Sequence, residues 1–254
     1  MADNSPEKTP LVWEGVYQTW GEALAAGEGF SGKRWLDRIV QQLEDYSIDR
    51  KKYGNLALPP RPSSLPMLCS LTKSDSIVDF GGSSGWAWYY LKECIDDLLV
   101  KRYDIVEIGE ICQHFTNSNY HDNQPIHYFT SDEYEGNCDI LYTNSALQYI
   151  EDDEIFFRLI EGTKPKYLLV EDFLGGAFDN FYSRQIYYDS RIPVKFRNQR
   201  NFVSNLLDLS FELQLSKDYI TSIRGRIQQF PMSNMPEDKR LRFGQTLLFT
   251  KVNQ

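Results

Sequence analysis

An acid two residues ahead of a glycine pair, with a further glycine three residues on, is an arrangement that can hold a ligand. Asp79, Gly81, Gly82 and Gly85 stand in this way, with Ser83 inside the turn. Glycine admits positive φ and lets a ligand come close to the backbone. The apolar pair Ile77 and Val78 precedes the turn, and a helical pattern through Trp86, Leu91, Ile95 and Leu98 follows it. The sequence therefore predicts a strand, a tight turn and a helix whose N-terminus offers unpaired N–H groups. That unit cradles a nucleotide-type cofactor. The dinucleotide fingerprint G-x-G-x-x-G would place a glycine at position 83, where this chain has serine. Asp79 would repel a nearby phosphate but attract a cofactor that carries an ammonium and a sulfonium. A second acid, Glu107, ends the run 102–107, where a carboxylate can accept hydrogen bonds from both hydroxyls of a ribose. Ser131 and Asp132 follow the next strand-like run and could reach an adenine amino group.

The elements that must position these residues alternate. Strands are predicted over 76–80, 102–107, 126–129, 138–143 and 166–171, with helices over 85–98, 109–117 and 151–160. The last helix opens on Glu151, Asp152, Asp153 and Glu154; acids in a first turn complement the helix dipole, and we read them as a helix start rather than a catalytic cluster. Alternation of this kind builds a parallel sheet with helices on both faces, and ligands bind beyond the carboxyl ends of its strands. A helix through Phe202, Val203, Leu206 and Leu207 and strands over 211–220 and 245–251 close the chain as an antiparallel pair. Ahead of the sheet, Thr19 with Glu22 reads as a capping box for a short helix. Trp35, Leu36, Ile39, Val40 and Leu43 trace one buried face of a helix over 31–45, with Ser31 as its N-cap. Residues 53–66, rich in proline, read as a connector. The division predicted is a helical N-terminal extension and connector over 1–66, with 1–10 disordered, and a catalytic domain over 67–254.

Composition narrows the function. The formal net charge is -9, which argues against a general nucleic-acid binder. Residues 184–242 nevertheless hold eleven Lys/Arg and six Asp/Glu, an excess that could meet an anionic substrate or form a solvated face. No apolar run is long enough to span a bilayer, and 1–10 lacks the apolar stretch of a secretory signal, so a cytoplasmic protein is expected. Cys69, Cys94, Cys112 and Cys138 lie in or beside apolar segments without a C-x-x-C pair and are expected as buried free thiols. His114, His121 and His127 lack the spacing of a helical zinc pair, so no metal is expected.

The chain resembles the class I S-adenosylmethionine-dependent methyltransferases. More narrowly, it is similar to a bacterial methyltransferase family often associated with surface-polysaccharide gene clusters. Three stretches carry the resemblance: Trp13, Glu14, Gly15, Val16 and Tyr17 with Trp20, Glu22, Ala23 and Leu24; Asp79, Phe80, Gly81 and Gly82 with Gly85; and Asn144, Ser145, Ala146, Leu147, Gln148, Tyr149 and Ile150. Ser83, and Glu171 with Asp172, depart from the family's pattern. The resemblance implies a Rossmann-like α/β sheet in the order 3-2-1-4-5-7-6. It implies S-adenosylmethionine as cofactor, with Asp79, Gly81, Gly82, Ser83 and Gly85 around its methionine end and Glu107 on its ribose. Asn144, Ser145 and Leu147 should border the sulfonium, and Gln148 and Tyr149 the acceptor.

Methyl transfer to a hydroxyl needs an aligned acceptor and a base. Asp172 is the first candidate base and Glu171 the second; as neighbours on a strand they point to opposite faces. The acceptor side should come from the N-terminal segment and an insertion over 174–200, with Tyr17, Tyr187 and Tyr188 as exposed rings and Arg191 and Arg197 as cationic contacts. The expected reaction is O-methylation of a sugar hydroxyl of a surface glycan or its activated, anionic precursor. A small natural-product acceptor and a non-catalytic cofactor-binding module remain alternatives; a nicotinamide-dependent oxidoreductase is disfavoured by Asp79 and Ser83.

Overall fold

A computed structural model describes residues 11–24, 30, 33–54, 62–97, 99–187, 190–220, 222–223, 226–227 and 229–252. The expectations for 1–10, Ser31, Leu98 and Tyr188 fall outside these residues. In chain order the elements are β1 (Trp13–Tyr17), α1 (Trp20–Ala23), α2 (Lys33–Tyr53), α3 (Leu65–Thr72), β2 (Ser76–Phe80), α4 (Trp86–Cys94), β3 (Arg102–Val106), α5 (Gly109–Thr116), β4 (Ile126–Phe129), β5 (Ile140–Asn144), α6 (Glu154–Thr163), β6 (Tyr167–Phe173), β7 (Gly175–Gly176), β8 (Phe181–Tyr187), β9 (Ser190–Asn198), α7 (Gln199–Asp208), β10 (Phe211–Tyr219), the short pair β11 (Ser222–Ile223) and β12 (Arg226–Ile227), and β13 (Gly244–Lys251).

Seven strands form the main sheet, ordered β10-β13-β6-β5-β2-β3-β4. Counted along the chain as one to seven, they stand 3-2-1-4-5-7-6. Strands β2 to β6 pair in parallel, and β13 runs antiparallel to both β6 and β10. The period-2 alternation of each strand builds two cores. Val78, Val106, Leu141, Leu168, Val170 and Leu247 face Phe156 and Leu159 of α6 and Phe202 and Leu206 of α7. Ile77, Ile105, Ile140 and Leu169 face Leu65 and Leu68 of α3 and Trp88 and Leu91 of α4.

The expected helical N-terminal extension is only partly helical. The capping box is present: Glu22 N donates to Thr19 Oγ1, and the Glu22 carboxylate accepts from Thr19 N. Helix α2 runs to Tyr53 rather than residue 45, because Tyr46 continues the buried stripe of Ile39 and Leu43. Tyr46 and Arg50 both bond Glu93 of α4. The opening Trp13–Tyr17, however, is strand β1, and the segment over 174–200 is β7, β8 and β9. Together they make a second sheet in the order β1-β8-β9-β7. Its inward residues Trp13, Phe181, Val194 and Phe196 alternate along the strands and form a third core with Met232 and Met235. Half-buried strands of this kind read as an aromatic-rich insertion until the partner from the chain's other end is known. Three thiols are buried, as expected, but Cys94 at the end of α4 is exposed.

The acidic run over 151–154 is also more than a helix start. Only Glu154 lies within the first turn of α6. Asp153 accepts from Arg197 Nη2 at 2.6 Å and from Lys195 Nζ at 2.9 Å. Among the described residues no helix is long and apolar enough to cross a membrane.

Candidate functional site

A cavity of about 1110 Å³ opens at the carboxyl ends of β2 to β6. Its floor is Gly81, Ser83, Glu107, Ser131, Asp132, Asn144, Ser145, Gln148, Tyr149 and Asp172. Its roof comes from Trp35, Arg38 and Gln42 of α2, Phe30, Val12 and Trp13, and Gln185 to Tyr187 of β8. The volume exceeds what a single cofactor-sized ligand fills and leaves room for a second molecule.

Three floor residues hold a left-handed backbone although none is glycine: Ser83 (φ 55°), Ser145 (φ 60°) and Asp172 (φ 54°). Such conformations cost free energy and gather at ligand sites. Each lies just after a strand or at its end, where the chain must turn across the cavity. Gly81 (φ +71°) makes the sharpest approach: a Cβ there would lie 2.2 Å from Ala146 Cβ. Its N–H donates to Val106 O at 2.8 Å.

Glu107 reaches back over the turn. Its Oε1 accepts from Ser83 N at 3.2 Å and its Oε2 from Ile108 N at 2.8 Å. Burial raises its carboxyl to about 7 against those two backbone bonds, which favour the charged form. Asp172 Oδ2 lies 2.5 Å from Ser145 Oγ, which is also 3.0 Å from Asn144 Oδ1. Gly244 is a glycine for the sake of this carboxylate, since a Cβ there would stand 2.6 Å from Asp172 Oδ1. Tyr149 OH donates to Gln185 Oε1 at 2.6 Å, tying the turn after β5 to β8.

Several expected residues do not meet the cavity. Asp79 is buried behind the turn, where its Oδ2 accepts from Tyr103 OH at 2.7 Å. Period 2 explains this: Asp79 shares a face with Ile77, under α3 and α4. Gly82 lies against Asp79 Oδ2, and Gly85 caps α4 against Ile105 and Tyr128. Neither lines the cavity. Leu147 packs in the core beside α6. Glu171 is buried on the far face, accepting from Ser64 N at 2.7 Å, Tyr142 OH at 3.2 Å and Asn144 Nδ2 at 3.3 Å; it supports Asn144 and cannot reach an acceptor. Tyr17 lies beneath the Arg184 guanidinium, 4.7 Å away. Arg191 pairs with Glu14 at 2.7 Å, and Arg197 is buried on Asp153 and on Leu147 O.

Arg184, Arg191, Lys195 and Arg197 of the basic stretch are therefore held by partners within the fold. Arg184 also donates to the carbonyls of Glu22 and Ala23. The cavity itself carries Glu107, Asp132 and Asp172 against Arg38 as charged side chains among its described lining residues. An acidic cavity suits a cationic cofactor and does not suit a strongly anionic acceptor. The roof residues Trp35, Arg38, Gln42 and Gln185 escaped sequence reasoning. The first three recur at i, i+3 and i+7, one edge of the stripe that identified the helix.

His121 is enclosed by Tyr89 and Tyr128, at 2.9 and 3.1 Å, and burial lowers it to about 4. Among the described residues no group of three or more His, Cys, Asp or Glu could hold a metal.

No family model matches this chain, and no curated protein matches it. Solved structures do. A chain of the Haloferax volcanii complex between the Trm112 methyltransferase activator and a protein designated a methyltransferase matches at TM-score 0.50 and 16% identity, over 91% of this chain and 98% of that one. In fold the chain is similar to methyltransferases. At TM-score 0.48 lie an S-adenosylmethionine dependent methyltransferase from Mesorhizobium loti, with 12% identity over 74% of this chain and 97% of that one, and the DhpI–SAH complex, with 11% identity over 85% and 98%.

The fold carries an internal pH dependence. Burial raises Asp79 to about 7, with a further push from Glu107 and a counterweight from Tyr103. A carboxyl raised in the folded state opposes folding once ionised. Its contribution is fully favourable below about pH 4 and is lost as the pH rises through about 7. Asp79→Asn keeps an acceptor for Tyr103 and removes the titration. Thermal melts from pH 4 to 8 should show a smaller loss of Tm in the variant than in wild type. Glu107 and Glu171 shift in the same direction and leave a residual slope.

Proposed function

We propose that this chain is an S-adenosylmethionine-dependent methyltransferase that O-methylates a sugar hydroxyl, as in a surface glycan. The observation that carries the cofactor is the arrangement at the ends of β2 and β3: a left-handed glycine turn closing on a carboxylate. The residues fit the group. Gly81 leaves the backbone bare, Glu107 is oriented by two backbone N–H groups with acceptor capacity left over, and the cavity's balance of charge is acidic. Glu107 would hold the ribose hydroxyls, Ser131 and Asp132 the adenine edge, and Gly81, Ser83 and Asn144 the methionine end. Bound there, S-adenosylmethionine supplies an electrophilic methyl carbon on sulfonium.

Asp172 is the proposed base. It is the carboxylate nearest the turn after β5, Ser145 fixes its Oδ2, and it can take the proton of an acceptor hydroxyl. Gln148 and Tyr149 continue the same wall. The acceptor reading rests on the roof. Phe30, Trp35, Tyr149 and Tyr187 join edge to face, with centroids 4.4 to 5.8 Å apart, and Phe30 and Tyr187 meet at a tilt. Gln42, Gln148 and Gln185 add amides that both donate and accept. Rings pack on the C–H faces of sugars, and amides match their hydroxyls. The charge balance favours an uncharged sugar over a phosphorylated precursor.

Calorimetric titration with S-adenosylhomocysteine and, separately, NADH tests the cofactor. We expect micromolar binding of S-adenosylhomocysteine alone, and in Glu107→Ala a loss of roughly tenfold or more, the scale of one charge-assisted hydrogen bond or two. Binding of NADH alone would overturn the proposal.

A further inference from the structure

The sequence suggested that an acid at the glycine turn greets the ammonium of the cofactor's amino-acid end. The structure withdraws that acid: Asp79 is turned behind the sheet onto Tyr103. A guanidinium faces the cavity instead. Helix α2 buries Ile39 and Leu43 against Ile111 and Phe115 of α5, and its Trp35, Leu36 and Val40 pack in the same cluster as Trp86, the first residue of α4. Trp86 follows Gly85 directly, so α2 crosses above the glycine turn. The stripe that α2 presents to the cavity is Trp35, Arg38 and Gln42. Arg38 is the cationic side chain among the described lining residues, and it is exposed within an acidic cavity.

Resting on the cofactor reading above, we infer that Arg38 binds the α-carboxylate of the cofactor's amino-acid end. Recognition at the turn then runs through the carboxylate rather than the ammonium. Guanidinium and carboxylate match as a two-pronged, charge-assisted pair. The N-terminus of the nine-residue α4, beside the same turn, adds N–H groups of matching sign. The inference also explains how an acidic cavity accepts a ligand with a carboxylate: one cation placed at one end, with the acids at the ribose, the adenine and the acceptor.

Calorimetry with three probes tests it on wild type, Arg38→Gln and Arg38→Lys. S-adenosylhomocysteine carries both charges, its decarboxylated analogue keeps only the ammonium, and 5′-methylthioadenosine has neither. Wild type should bind S-adenosylhomocysteine at least about tenfold tighter than the decarboxylated analogue. Arg38→Gln should erase that difference and leave methylthioadenosine within twofold of wild type, and Arg38→Lys should recover part of it. Unchanged S-adenosylhomocysteine affinity in Arg38→Gln would overturn the inference. So would an equal loss for methylthioadenosine, which would mean that the variant had disturbed the roof. Failure of wild type to bind any of the three would instead remove the cofactor reading on which the inference stands.

Discussion

Arg197→Met should lower the stability of the fold by about 3 kcal/mol, at the low end of what breaking a buried ion pair costs. For a chain of this size the fall in Tm should be roughly 6–12 °C. Arg197 is 2% exposed. Its Nη2 donates to Asp153 Oδ1 at 2.6 Å and to Leu147 O at 2.7 Å, and its Nε to Asp153 at 3.1 Å. Removing the fork strands half of the Asp153 carboxylate and leaves the Leu147 carbonyl only its bond from Ile150 N. The estimate is held to the low end because Asp153 is 25% exposed and keeps Lys195. Lysine should not rescue, since it cannot reach both acceptors with a planar fork. Differential scanning calorimetry decides the matter. A Tm within 2 °C of wild type would show that the cluster is dispensable for stability. The variant should also loosen Tyr149, because the turn over Leu147–Tyr149 hangs from the same guanidinium.

Gly81→Ala should cost about 2–5 kcal/mol and weaken S-adenosylhomocysteine by at least tenfold. Two terms add. An L-residue at φ +71° costs roughly 1–2 kcal/mol, and forcing a methyl into filled space costs about 1–3 kcal/mol. The space is filled by Ala146, whose Cβ would lie 2.2 Å away. The two terms can be separated. Gly81→Ala with Ala146→Gly removes the clash and leaves only the backbone strain. It should recover part of the lost stability in denaturant titration. No recovery would mean that the backbone conformation, not the contact, makes glycine necessary.

Much of the architecture was legible because it is local. The turn from Asp79 to Gly85, the strands 76–80 and 126–129, and the capping box of Thr19 and Glu22 depend on neighbours in sequence. The second sheet was not legible. Trp13 pairs with Gln185, and nothing local distinguishes a half-buried aromatic strand from an aromatic loop. The site split along the same line. Glu107, Asn144, Ser145, Gln148, Tyr149 and Asp172 lie at strand ends and reach the cavity. Asp79 and Glu171 were sorted to the other face by the alternation within β2 and β6, where they lie. The arginines misled because charge counts do not see partners: Arg191 and Arg197 are paired by Glu14 and Asp153, distant in sequence.

The pairing of β1 with β8 also sets a timetable. Residues 13–17 leave the ribosome well before 181–187 and have no partner strand until these follow. At synthesis rates of about 5–20 residues per second, that wait is roughly 10–30 s. The β8 side of the cavity roof is therefore added only after the parallel strands β2 to β6 have been made. A nascent chain halted after β6 would already own its glycine turn, Glu107 and the α2 side of the roof, yet would lack Gln185 to Tyr187 to close the cavity.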